Sequence, residues 1–255
     1  MSTPVRYWGP LILVLGTAAC VPREIERGFA DPATPFRPYP HEAIVQSGVY
    51  RHLFADGAVV VDSFSVYHSV RGGYVLHARS GSSRFPFETW FEVAPDFTPL
   101  RGWERADGPS GRCEWSFGIS PKGIDVRLKT PASPETHRLH FSVPGRYTVA
   151  TRSVISLIWG VASARETGTL SVLEFGHCTR ESPQESGFVA VQIETVNRKQ
   201  SAAAGRSFSV AVVRLLWPRG RVDEILVADS GPIAIERRSP FVLSYLDRYW
   251  SVIGD

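Results

Sequence analysis

Lysine is almost missing from this chain: Lys122, Lys129 and Lys199 are its only three among 255 residues, and arginine supplies the rest of the positive charge. A GC-rich genome explains that skew, which carries no functional weight. The formal net charge is +3, and only two arginines, Arg237 and Arg238, are adjacent. With no basic stripe to track a phosphate backbone, nucleic acid is excluded as a partner. Also missing are a Gly-x-Ser-x-Gly elbow, a Gly-x-x-x-x-Gly-Lys phosphate loop, a Gly-x-Gly-x-x-Gly turn and a His-Glu-x-x-His helix. No cofactor is therefore expected, and nothing in the sequence points to a catalytic nucleophile. There is no fixed-period repeat and no low-complexity segment.

Metal-ligand patterns are thin as well. The histidines are His41, His52, His68, His77, His137, His140 and His177. His137 and His140 fall on a predicted strand, where a spacing of three places them on opposite faces, and His177 beside Cys178 has no second close pair. No metal site is expected. Asp62, Glu88, Glu92, Glu104 and Glu114 could pair across strands for acid-base work, but solvated strand faces explain them equally well.

What is present begins with a targeting segment. Arg6, the apolar stretch Leu11 to Leu15, and the small residues Thr17, Ala18 and Ala19 make residues 1–19 a signal peptide. Cys20 follows directly, as in a bacterial lipoprotein signal, where the cysteine is lipidated and becomes the new amino terminus. Thr17 stands where that motif favours leucine, so lipidation is preferred over ordinary cleavage beside Cys20 on a loose match. Residues 20–42 carry Pro22, Pro32, Pro35, Pro38 and Pro40 with no apolar period, and read as a tether. Residues 43–255 remain as a single β-rich domain. An exported protein would meet an oxidising compartment, where Cys113 and Cys178 form either a disulfide or two buried thiols.

Within that domain the pattern is one of short strands and turns. Ala55-Asp56-Gly57 and Arg71-Gly72-Gly73 are hairpin signals between apolar runs. Ile124, Val126 and Leu128 alternate with Asp125, Arg127 and Lys129, while Cys113, Trp115, Phe117 and Ile119 make the apolar face of the strand before. A strand from Phe188 ends at Val196, a loop runs to Gly205, and strands follow over Phe208 to Trp217, Val222 to Val227 and Ile233 to Arg237. Two stretches break the pattern. Arg152 to Ala164 has Val154, Ile158 and Val161 at helical spacing beside Ile155, Trp159 and Ala162, which favours a helix over a β-branched strand. Ser239-Pro240, followed by Phe241, Tyr245 and Tyr249 with Val242, Leu246 and Trp250, predicts a short carboxyl-terminal helix.

Taken with Gly48-Val49-Tyr50, Gly72-Gly73-Tyr74-Val75-Leu76, Phe97-Thr98-Pro99-Leu100, Ser153 to Trp159 and Ala204-Gly205-Arg206-Ser207-Phe208, the chain from Ser47 to about Leu246 resembles a family of bacterial envelope proteins. That family is catalogued as a domain of unknown function of the 3108 type, and its members are similar in fold to the LolA and LolB half-barrels. Trp217-Pro218 and the aromatic carboxyl-terminal extension depart from it. The resemblance implies a mainly β fold, a curved antiparallel sheet or half-barrel with one covering helix, in an exported, membrane-anchored envelope lipoprotein. It brings no reaction.

Such a half-barrel could hold an acyl chain or lipoprotein anchor in a groove lined by Val154, Ile155, Ile158, Trp159, Trp115, Phe117 and Phe208, at about 0.8 kcal/mol per buried methylene. The alternative is a non-enzymatic structural or adaptor protein whose sheet is filled by its own side chains; a hydrolase ranks third. The expected partners are the membrane, through a lipid on Cys20, and either a lipid or another envelope protein. The packing of Arg152 to Ala164 separates the first two: an open groove means a carrier, a filled one a scaffold.

Overall fold

In the computed structural model, a single sheet of 15 strands accounts for nearly every ordered element. The described residues are 43–69, 72–84, 86–108, 111–120, 122–131, 133, 135–143, 145–164, 168–175 and 186–252. Residues 1–42, expected from the sequence to be a signal peptide and tether and including Cys20 and His41, lie outside them, as do His177 and Cys178.

In chain order the strands are β1 (Ile44–Phe54), β2 (Val59–His68), β3 (Tyr74–Ser80), β4 (Phe87–Val93), β5 (Pro99–Gly108), β6 (Gly111–Ser120), β7 (Gly123–Lys129), β8 (Thr136–Phe141) and β9 (Tyr147–Val149). The helix α1 (Val154–Ala164) follows, then β10 (Gly168–Glu174), β11 (Gly187–Ala203), β12 (Arg206–Leu216), β13 (Val222–Ala228), β14 (Ala234–Arg238) and β15 (Val242–Ser251). Spatially the order is β8-β7-β6-β5-β4-β3-β2-β1-β15-β14-β13-β12-β11-β10-β9. Two meanders are thus joined where β15 returns to pair with β1, so the last strand sits in the middle of the sheet. The edges β8 and β9 are consecutive in the chain, and the curved sheet remains unclosed.

The alternation seen in the sequence sets the core. Ile124, Val126 and Leu128 are buried beside Trp115 and Phe117, in register across β6 and β7. Gly102 on β5 opposes Phe91, and a Cβ there would stand 2.4 Å from the Phe117 ring, so the glycine makes room for both aromatics. Tyr147 donates its hydroxyl to the Pro99 carbonyl at 2.9 Å, tying the β9 edge back to the start of β5.

The helix lies within this curve, where the apolar stripe placed it. It packs on β9, β10 and β14, while Trp159 meets Tyr74, Phe91 and Phe97 with ring centroids 6.3, 6.2 and 6.1 Å away. One helix therefore touches both meanders. Ser153 accepts a hydrogen bond from the Ile155 N–H at its start. Gly160 lets it approach β9, since a Cβ would come within 2.6 Å of the Thr148 side chain.

Three expectations need correction. Ser239 to Trp250 is not a helix: Val242–Ser251 is strand β15, hydrogen-bonded on both sides to β1 and β14. A register shift between Val49 and Tyr50 leaves Asp247 as an extra residue, which breaks the period of two and imitates helical spacing. The loop from Val196 to Gly205 is also strand, because β11 continues to Ala203 and turns through Ala204 and Gly205, whose φ angles are 49° and 73°. The three-residue β9 went unforeseen, and it pairs parallel with β10 in an otherwise antiparallel sheet.

Candidate functional site

All seven side chains expected to line a groove are buried. Val154, Ile155, Ile158, Trp159, Trp115, Phe117 and Phe208 belong to one core cluster, and none is more than 7% exposed. From Val154 to Val161 every helix residue is buried, so α1 has no open side over this length. A helix apolar all round is one enclosed by its neighbours. Cys113, also in this core, is disulfide-bonded, its partner lying outside the described residues.

The interior also holds carboxylates, which corrects the solvated-face reading for three of them. Asp62, Glu92 and Glu104 are buried; Glu88 and Glu114 are half-buried. Glu104 accepts hydrogen bonds from the Thr89 hydroxyl at 2.7 Å and the Arg152 N–H at 2.8 Å, two residues before the helix. Its negative charge thus meets the positive end of the helix dipole. Burial nevertheless pushes the Glu104 carboxyl above its usual range, with those hydrogen bonds opposing the rise.

The folded state consequently binds this proton more tightly than the unfolded chain, and stability falls as pH climbs from the ordinary glutamate range through the raised folded value. Glu104→Gln keeps an acceptor oxygen and removes the charge. Its melting temperature should match or trail the native one in acid and exceed it once the native carboxylate is ionised; parallel profiles across that range would refute the assignment.

A second polar group crosses the strands where the two meanders meet. His52 on β1 sits between the Ser244 hydroxyl of β15, 2.8 Å from Nδ1, and Asp62 Oδ2 of β2, 3.1 Å from Nε2. Ser244 opposes Arg237 on β14, whose Nη2 donates to Asp223 Oδ2 of β13 at 2.8 Å. Arg221 adds bonds to both Asp223 oxygens at 2.9 and 3.3 Å and stacks over Trp217, 4.4 Å from the ring centre. Two polar groups thus lie side by side, Asp62–His52–Ser244 on β2, β1 and β15 and Arg221–Asp223–Arg237 on β13 and β14 with the turn before them, and only the strand register relates Ser244 to Arg237. A hydroxyl, an imidazole and a carboxylate in series could in principle activate a nucleophile. Ser244, however, is 1% exposed, so no substrate carbonyl reaches its oxygen in this conformation. The Asp62–His52–Ser244 group instead clasps the first meander to the last.

Sequence reasoning missed this group because His52 and Ser244 are 192 residues apart and Ser244 had been placed in a helix. The recoverable signal was a polar residue on an apolar face, as in Val60-Asp62-Phe64.

On the convex face, Trp90 and Trp103 are buried with Val75, and the His77 ring stacks on Trp90 at 4.0 Å. A cleft of about 310 Å³ at the rim of β3 to β6 is lined in part by Arg79, Glu88, Arg105, Asp107 and Arg112. Two of its cations are matched, Arg105 with Glu88 at 3.3 Å and Arg112 with Asp107 at 2.9 Å. Among the described residues no cluster of three metal-ligating side chains occurs.

These features define a β-barrel-like domain built from one curved sheet with its own helix inside. No family model and no curated protein matches the chain. Among solved structures it is similar to the crystal structure of a β-barrel-like protein of domain of unknown function DUF1849 from Brucella abortus. The TM-score is 0.52 and the identity 9%, over 81% of this chain and 97% of that one. At that identity the likeness is one of fold. It supports a β-barrel-like domain of unknown function and gives no support to membership of the 3108-type family or to LolA and LolB similarity.

Proposed function

We propose that this chain is an exported, lipid-anchored structural or adaptor protein of the bacterial cell envelope, with a barrel filled by its own side chains rather than by a ligand. The observation that carries this reading is the helix: buried from Val154 to Val161, it occupies the concavity in which a carrier would hold an acyl chain. Export rests on the signal-like residues 1–19, and anchoring on Cys20. The disulfide at Cys113, for which we propose Cys178 as partner, fits an oxidising compartment. Neither catalysis nor a cofactor enters this function.

Protein purified without detergent should carry no lipid in native mass spectra and take up no fluorescent fatty acid. In cells it should sediment with membranes, and Cys20→Ser should release it from the lipid anchor. Co-purifying lipid, or saturable fatty-acid uptake, would restore the carrier reading.

A further inference from the structure

Among the described residues, seven of the eleven exposed large apolar side chains gather at two places on the sheet, Ile119, Val143, Val196 and Val222 lying apart from them. Leu53, Val59, Val61 and Phe241 lie near the β1–β2 turn. Ile44, Trp250 and Val252 lie at the opposite end of β1, where the chain enters the domain, and are 41%, 46% and 60% exposed. That second group has a location from which its partner follows. Ser47 opposes Trp250 across β1 and β15, and the Val252 N–H donates to the Val45 carbonyl at 3.0 Å, so both ends of the domain meet at this corner. Residues 20–42 run directly into it.

Arg248 and Trp250 stand two apart on β15 and project from one face, with Val252 just past the end of the strand, and the Arg248 side chain is 77% exposed. A cation, an indole and an aliphatic group in a row suit a bilayer interface, where the cation meets anionic headgroups and the indole sits at their level. From the corner toward β2, Tyr67 opposes Ile44 and adds a second aromatic with a polar tip.

We infer that this corner, through Trp250, Val252 and Ile44 with Arg248 beside them, is a membrane-contact surface that seats the domain on the lipid bilayer. The inference deepens the anchored reading and rests on it. A tether of this length reaches about 70 Å or more when extended, so a lipid on Cys20 fixes the distance only loosely. The lipid holds the corner at high local concentration near the surface, and even a weak apolar contact then orients the domain. The β1–β2 end, with Phe241, points away from the bilayer.

The test separates the contact from the anchor by using residues 20–255 with Cys20→Ser, mixed with vesicles of phosphatidylethanolamine and phosphatidylglycerol whose acyl chains are brominated. Trp250 is the reporter: the other five tryptophans beyond the signal segment are 8% exposed or less. Quenching of tryptophan fluorescence, and flotation with the vesicles, are expected. Trp250→Phe should abolish the quenching, Trp250→Ser with Val252→Ser should lower flotation about tenfold or more, and Phe241→Ser should change neither. Absent quenching, or flotation indifferent to the double substitution, overturns the proposal. Mass spectrometry of the native amino-terminal peptide tests the anchor separately: an unmodified Cys20 defeats the lipoprotein reading whatever the vesicles show.

Discussion

Replacing Trp159 with alanine should destabilise the domain by about 3–5 kcal/mol, the range for emptying a large aromatic site in a closed core. Trp159 is 1% exposed and packs on Tyr74, Phe91 and Phe97, which belong to β3, β4 and the turn before β5. The helix that carries it rests on β9, β10 and β14. Removing the indole thus deletes its ring contacts with the first meander while leaving the seat of α1 on the second. The backbone cannot collapse freely into the gap, because Gly160 already brings the helix as close to Thr148 as side chains permit. The denaturant midpoint should fall with little change in slope. A cavity opened here is apolar, and such cavities stay dry and accept apolar guests. Trp159→Ala should therefore take up a small apolar guest such as benzene, with a rise in melting temperature when it is added. A loss below about 1 kcal/mol would mean that the tryptophan was never enclosed on all sides.

How much of this could be read from the chain depends on whether one residue's surroundings are local or distant. The helix could be read because its stripe and its small residues, Ser153, Ser156 and Gly160, lie within one segment. Strands such as β7 could be read because one face is wet. β15 could not, since it lies between β1 and β14 and a bulge at Asp247 disturbs its alternation. The error propagated: with β15 read as a helix, the two meanders had no visible join, and Ser244 had no reason to meet His52. The buried carboxylates were misjudged for a related reason. A single strand shows that Glu104 alternates with Trp103 and Arg105, but not that its own face receives the start of a helix 48 residues later. The seven groove candidates sit on apolar faces that alternation and the helical stripe reveal, whereas their degree of burial depends on strands distant in the chain.

The ion-pair group on β13 and β14, beside that join, supplies the second large effect. Asp223→Ala should cost about 3–5 kcal/mol, the penalty for breaking a buried ion pair from one side. Asp223 is fully buried and accepts bonds from Arg221 and Arg237, so its loss strands two guanidinium groups at once. They differ in what they can do next. Arg221 is the more exposed and can swing to water, giving up its place over the Trp217 ring. Arg237 is held on β14 opposite Ser244, with its side chain 17% exposed, and must keep its charge among apolar neighbours. Most of the loss therefore belongs to Arg237, and a double-mutant cycle reveals it. Arg237→Leu added to Asp223→Leu should recover a large part of the stability, because an apolar pair of similar volume carries no desolvation penalty. Asp56→Ala, which removes a surface partner of Arg84, should leave the denaturant midpoint where it is. If the Asp223 and Asp56 variants unfold at the same midpoint, the ion-pair group is not what holds β13 and β14 to the centre of the sheet. If Arg237→Leu deepens the loss instead of reversing it, Arg237 contributes more through packing along its aliphatic stem than it costs in buried charge.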